Sequence, residues 1–385
     1  MLTLILVIAV ALAFDFTNGF HDAANAIATA VATRSISPRL AVVLAGALNF
    51  LGAFVSIKVA ATIGSKIIDP GAFTLPMVTA GLVGAIVWNL VTWGLGLPSS
   101  SSHALVGGIG GAAIAEGGGT NVVLWDGVVE KVLKPSIVAP ILGFLVAGIL
   151  VLLLGGPIWR AVQRVRGAAR GLQLASAGFV AFTHGTNDAQ KTMGVIVVAL
   201  VAGGKLDAAD PKHFSVPTWV IVASALAMAA GTYAGGWRII RTLGTKIHAL
   251  DLRSGTAAQA AAGAVLYATA SAGFPVSTTQ TITGSVLGTG VAHRFRLTRW
   301  AIARRILVAW ITTMPAAALL GALGVLITRV PGGTVVLALV TLAALAVIVY
   351  RRRAEMFGRP EQPIDEAPPA SGAEAVPSPH DIVAV

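Results

Sequence analysis

Two aspartates stand in the same local phrase, once near the start of the chain and once at mid-length. The copies read Phe16-Thr17-Asn18-Gly19-Phe20-His21-Asp22 and Phe182-Thr183-His184-Gly185-Thr186-Asn187-Asp188, each inside a long apolar stretch. A carboxylate at membrane depth costs roughly 2.5 to 3.5 kcal/mol on insertion scales, so its recurrence at two equivalent places points to a mechanism. Asn25 follows Asp22 by about one helical turn, and Asn187 and Gln190 flank Asp188. Carboxylates among amide oxygens suit a small hard cation or a proton, which makes Asp22 and Asp188 candidate sodium ligands. The ordinary alternative is an aspartate capping a helix break. Lys191, three residues after Asp188, is placed to pair with it along a helix, either silencing the charge or helping to hold an anion.

A second duplicated segment supplies hydroxyls. Leu97-Pro98-Ser99-Ser100-Ser101-Ser102-His103-Ala104-Leu105-Val106-Gly107 matches Phe274-Pro275-Val276-Ser277-Thr278-Thr279-Gln280-Thr281-Ile282-Thr283-Gly284 in its proline, its hydroxyl cluster and its closing glycine. A hydroxyl cluster after proline and before an apolar helical run predicts a helix amino terminus, where free N–H groups, the positive end of the dipole and the hydroxyls together receive an oxyanion. Plain serine capping explains one such cluster; two related by repetition favour an anion site. The candidate substrate ligands are Ser100, Ser101, Ser102, Ser277, Thr278, Thr279 and Gln280. The candidate coupling residues are Asp22, Asn25, Asn187, Asp188, Gln190 and Lys191. Asp15, Asp22 and Asp188 outnumber Lys191 among the deep charges, so a divalent anion entering here needs co-bound cations, and the two ligands should assist each other's binding. His21 and His103 are as suited to holding a backbone carbonyl as to moving protons.

The elements that position these groups are read from composition. Of 385 residues 56% are hydrophobic and 11% charged, and the mean hydropathy is +0.82. Apolar runs near 39–57, 75–96, 136–155, 175–201, 217–236, 303–327 and 333–350 are close to the ~20 residues a membrane helix needs. The 44 glycines suit closely packed helices. There is no cysteine, so disulfide and thiol chemistry are excluded. The apolar start lacks a basic leader and is read as part of the fold. A net charge of +11 would suggest nucleic acid in a soluble chain, but most arginines lie in alternate loops near 34–39, 160–170, 238–253, 294–305 and 351–359. The positive-inside rule then places these loops in the cytoplasm, the amino terminus outside and the carboxyl terminus inside, with lipid headgroups rather than nucleic acid as their partners.

Under that assignment the two aspartate phrases cross the membrane in opposite directions. The predicted architecture is an all-α polytopic membrane protein of two inverted-topology repeats, each with a broken helix and a re-entrant helical hairpin, the plan of many secondary transporters. The expected divisions are a first repeat over 1–157, a basic cytoplasmic connector over 158–171, a second repeat with final spans over 172–350, and a disordered cytoplasmic tail over 351–385.

The duplicated signatures Gly19-Phe20-His21-Asp22-Ala23-Ala24-Asn25-Ala26-Ile27-Ala28 and Gly185-Thr186-Asn187-Asp188-Ala189-Gln190-Lys191-Thr192-Met193-Gly194, with the two proline-hydroxyl segments, resemble the PiT family of inorganic phosphate transporters over about residues 1–350. The resemblance implies a multi-pass cell-membrane protein, often a homodimer, that carries orthophosphate or a metal-phosphate complex with protons or sodium and has no covalent cofactor. It assigns cation and phosphate handling to Asp22, Asn25, Asn187 and Asp188, and phosphate contact to the hydroxyls of 100–102 and 277–279. The short connector resembles bacterial members, which leans the coupling towards protons. Some relatives carry sulfate on this scaffold; a carboxylate able to accept a phosphate O–H distinguishes the two anions and favours phosphate. An intramembrane phosphatase with a serine nucleophile would need a cationic clamp, and the sequence offers no arginine at membrane depth for it. A passive anion channel leaves the deep carboxylates without a purpose.

Overall fold

The computed structural model describes residues 1–207, 214–247, 250–295 and 298–357. Among the described residues it is helical, with one isolated bridge between Ile68 and Val123. The first half runs through α1 (Leu2–Ala32), α2 (Pro38–Gly52), α3 (Lys58–Ser65), α4 (Leu75–Gly94) and α5 (Ser101–Ala113). A single turn, α6 (Trp125–Gly127), leads through a π-helical stretch into α7 (Lys134–Leu153). The connecting α8 (Gly156–Arg164) precedes a second series in the same order: α9 (Ala168–Ala202), α10 (Thr218–Ala234), α11 (Trp237–Arg241), α12 (Leu252–Ser271), α13 (Thr278–Arg294) and α14 (Trp300–Thr328). The chain closes with α15 (Gly333–Arg351) and α16 (Arg353–Phe357).

Packing partners are exchanged between the two series. Helix α1 lies on α10 while α9 lies on α2, and α5 lies on α14 while α13 lies on α7. The starts of α4 and α12 follow from local chemistry. Thr74 accepts the Met77 amide at the head of α4, with Pro76 in the first turn, and Asp251 accepts the Ser254 amide at the head of α12. Among the described residues five helices are long and apolar enough to cross a bilayer, α1, α4, the Trp125–Leu153 stretch, α14 and α15, and a sixth if the bent pair Thr218–Ala234 and Trp237–Gly244 is one span.

Three expectations change. The aspartate helices are not broken: α1 and α9 run continuously for 31 and 35 residues. Neither phrase contains proline, and the aspartates find side-chain donors, Ser101 and Thr279 for Asp22 and Lys191 and Thr278 for Asp188, so the backbone has no need to open. The breaks lie instead in the loops before α5 and α13, and between α10 and the following helical segment, which is bent by 62°. The run 39–57 is not one span either, because α2 has 15 residues, about 22 Å at 1.5 Å per residue, short of the hydrocarbon thickness. The expected tail begins later than residue 351: α16 is helical, Met356 is buried, and its carbonyl accepts the Trp237 indole N–H at 3.1 Å. The rest of that tail lies outside the described residues.

Close contact between α1 and α10 depends on Gly19. A Cβ there would sit 2.9 Å from the Thr232 nitrogen and 3.0 Å from the Gly231 Cα, both backbone atoms. Gly19→Ala is expected to lower stability by about 1–3 kcal/mol through overpacking. Gly94→Ala, whose Cβ meets nothing within 4 Å, serves as the neutral control. Thermal melting of the two purified variants checks the difference.

Candidate functional site

The two hydroxyl segments begin in loops of the same shape, Leu95–Ser100 after α4 and Ala272–Ser277 after α12. Each turns on a glycine with positive φ, +65° at Gly96 and +76° at Gly273, a backbone region that side chains with a Cβ disfavour. The holders of each loop sit in the opposite half. Arg238 donates to the Gly94 carbonyl at 2.8 Å and Thr242 to the Gly96 carbonyl at 3.0 Å. In the counterpart, Lys58 donates to the Ser271 carbonyl at 2.9 Å and Thr62 to the Gly273 carbonyl at 2.7 Å.

From these loops the chain enters α5 and α13, where Ser100 and Ser277 act as the amino-terminal caps. The Ser100 hydroxyl accepts the His103 amide at 3.1 Å, and that of Ser277 accepts the Gln280 amide at 3.2 Å. Of the next two hydroxyls of each helix, Ser101, Thr278 and Thr279 reach the aspartates, while Ser102 donates to the Val276 carbonyl at 3.1 Å. Ser101 donates to Asp22 Oδ2 at 2.9 Å and Thr279 to Asp22 Oδ1 at 3.0 Å, so both tips meet on one carboxylate. Thr278 donates to Asp188 Oδ1 at 3.1 Å. Lys191 Nζ bridges Asp188 Oδ1 and Ser102 Oγ, each at 2.5 Å, and reaches the Val276 carbonyl at 3.1 Å.

The arrangement is nearly symmetric, and its asymmetry carries charge. Asn25 donates to Thr279 at 2.9 Å as Lys191 does to Ser102, so an amide on α1 occupies the position that an ammonium occupies on α9. Asp188 is therefore paired with a cation, while Asp22 faces two hydroxyls and the His21 ring, 2.7 Å from its Oδ1. His184 Nε2 approaches Asp188 Oδ2 at 3.3 Å. Asp22, His184 and Asp188 each present one possible ligand atom, all within 4.8 Å of one another. Around them, Asn25 Oδ1, Asn187 Oδ1 and Asp188 Oδ2 are buried acceptors with no hydrogen-bond partner among the described residues. Such unpaired oxygens are expensive unless a proton or cation completes them.

The remaining expected residues are placed as follows. Asn187 donates to the Val276 carbonyl at 2.9 Å and so belongs to the cluster. Gln190 does not: its Oε1 accepts the Val59 and Ala60 amides at the head of α3, and its Nε2 donates to the Thr186 carbonyl. Gln280 also turns away, with Nε2 3.3 Å from His103 Nδ1, and with that histidine it lines a lateral cavity also bordered by Pro140 and Trp310. His103 in turn meets Ser136 at 2.7 Å. Both oxygens of Asp15 are buried and unpartnered, and Thr192 and Asn18 are the polar side chains beside it.

Three members of the site escape a reading of the sequence. His184 lies one helical turn before Asp188, a spacing that could have selected it. The Val276 carbonyl is backbone and leaves no mark in residue type. Thr92 belongs to α4 and joins the site through a relay, because Ser99 donates to Thr92 at 2.8 Å and both hydroxyls lie near His21 Nε2, at 3.2 and 3.1 Å.

These features can be set beside known proteins. Residues 18–321 match the model of the Phosphate transporter family. The chain is 49% identical over 363 residues to a probable low-affinity inorganic phosphate transporter of Mycobacterium tuberculosis (strain ATCC 25618 / H37Rv), covering 91% of this chain and 84% of that protein. A protein of the same description from Bacillus subtilis (strain 168) is 42% identical over 325 residues, covering 83% of this chain and 95% of that one. Among solved structures, "The sodium-dependent phosphate transporter" superposes with a TM-score of 0.76 at 21% identity, covering 86% of this chain and 99% of its own, a likeness of fold. Family match and relatives agree with the duplicated motifs and with the paired hydroxyl tips: the chain belongs to the phosphate transporter family.

Proposed function

We propose that this protein imports inorganic phosphate by symport with a cation, using one central site between two inverted repeats. The observation that carries this reading is the meeting of both hydroxyl tips on Asp22, next to Asp188 and its lysine. Hydroxyls that donate to carboxylates in this arrangement can turn to donate to an oxyanion, and the first-turn amides of α5 and α13 other than those capped by Ser100 and Ser277 lack intrahelical acceptors. A cation among Asp22, His184 and Asp188 would offset the charge of the anion, so each ligand would improve the site for the other. The unpartnered amide and carboxylate oxygens favour sodium over a proton as the coupling ion. The relatives' names support phosphate as the substrate and are those of transporters rather than enzymes. The exchanged packing of the two series supports alternating access by rocking of one half against the other.

Orientation with the amino terminus outside follows the distribution of arginine among the loops. Placement in the cell membrane and assembly as a homodimer follow the family resemblance. Selection of phosphate over sulfate rests on Asp22 as an acceptor for the protonated oxygen that sulfate lacks at neutral pH.

Proteoliposomes of the purified protein should accumulate labelled phosphate when an inward sodium gradient is imposed. Arsenate should compete with the label and sulfate should not. Uptake that responds to a proton gradient alone would move the coupling to protons. Uptake indifferent to both gradients would remove symport.

A further inference from the structure

Beside the hydroxyl site a second cavity opens at the end of α4. It has a volume of about 560 Å³ and lies between α4 with its following loop and the first turns of α14. Arg304 and Arg305 stand at it, Trp88, Leu95 and Val308 wall it, and Thr92 is its buried polar member. No hydrogen bond or ion pair holds either guanidinium among the described residues, and the first turn of α14 has no acidic side chain.

We propose that this cavity binds an anionic phospholipid, with its headgroup phosphate on Arg304 and Arg305 and an acyl chain along the groove between α4 and α14. Two adjacent guanidiniums can grip phosphate oxygens through paired N–H donors. The apolar wall selects the lipid over the free ion, because Leu95 and Val308 are 68% and 55% exposed and inorganic phosphate gains nothing from covering them. An arginine pair on the face assigned to the cytoplasm also sits where anionic headgroups concentrate basic side chains. The site differs from an ordinary lipid shell in what lies behind it. Thr92 receives the Ser99 hydroxyl and touches His21, which touches Asp22. A chain lodged against α4 and its loop would hold this relay in place, so the lipid would support transport without touching the transported anion.

The test compares reconstitution in phosphatidylcholine alone with reconstitution in phosphatidylcholine containing phosphatidylglycerol, reading phosphate uptake in both and lipid retention by native mass spectrometry. The wild type should retain phosphatidylglycerol and transport roughly threefold faster or more in its presence, an effect beyond bulk surface charge. R304Q/R305Q should lose both the retained lipid and the stimulation while keeping the rate seen in phosphatidylcholine alone. V308W, which fills the groove and leaves both charges, should lose them as well. Equal stimulation of wild type and variants, or no retained phosphatidylglycerol on the wild type, overturns the proposal. A raised KM for phosphate in R304Q/R305Q in phosphatidylcholine alone also overturns it, by assigning the arginines to the transported ion. A wild type that transports nothing in either lipid while still retaining phosphatidylglycerol separates failure of the transport reading from failure of this one.

Discussion

Asp22→Asn should reduce gradient-driven phosphate accumulation by about 100-fold and leave the fold intact. The asparagine keeps the shape of the side chain, and of the Ser101 and Thr279 hydroxyls the one that faces Nδ2 can rotate to accept from it while the other still donates to Oδ1. Local hydrogen bonding therefore survives. The charge does not survive, and with it goes the one carboxylate of the candidate cation cluster of Asp22, His184 and Asp188 that is not paired with a lysine. Hydrogen bonds to an ionised group contribute about 1.5–3 kcal/mol, and roughly 3 kcal/mol of lost cation affinity in the loaded state corresponds to about 100-fold. The measurement is initial uptake in proteoliposomes under a sodium gradient, alongside the melting temperature of the same preparation. Near-normal coupled uptake by Asp22→Asn would take the carboxylate out of the coupling step.

Lys191→Met should act on the fold before it acts on transport. Lys191 and Asp188 are both fully buried, and the ammonium serves Asp188, Ser102 and the Val276 carbonyl together. Removing one partner of a buried pair leaves an uncompensated charge and costs about 3–5 kcal/mol, a large share of a typical net stability of about 5–15 kcal/mol. A marked drop in thermal stability is the expected result. The double variant Lys191→Met with Asp188→Asn removes the stranded charge and should recover most of the stability without recovering transport. Recovery of both would reduce the pair to a structural element; a stable single variant would mean that His184 neutralises Asp188 unaided.

Much of this arrangement is legible in the sequence because duplication repeats the informative residues. The aspartate phrases and the proline-hydroxyl segments stand out from their apolar surroundings, and both prove to meet in one place. What the sequence hides depends on facing. Gln190 is adjacent in the motif but two residues from Asp188, about 200° around the helix, so it turns to the head of α3 instead. Gln280 is likewise two residues from Thr278 and faces His103. The continuity of α1 and α9 could not be read from polarity, since a buried aspartate suggests a break until the donors that satisfy it are known, and Ser101, Thr279 and Thr278 all come from distant segments of the sequence. The exchange of Asn25 for Lys191, by contrast, is visible in the aligned phrases, each standing three residues after its aspartate, and the structure adds which hydroxyl each one holds.

The crosswise hold on the two loops bears on how this chain could have come to be one chain. Thr62 and Lys58 belong to the first half yet fasten the loop of the second, and Thr242 and Arg238 return the service. A polypeptide ending at the connector would have a hydroxyl tip with nothing to fix its shape, and a fastening residue with nothing to fasten. Two such polypeptides would complete each other. The fused chain is in this sense an obligate pair with a covalent link, in which each half is the other's missing part.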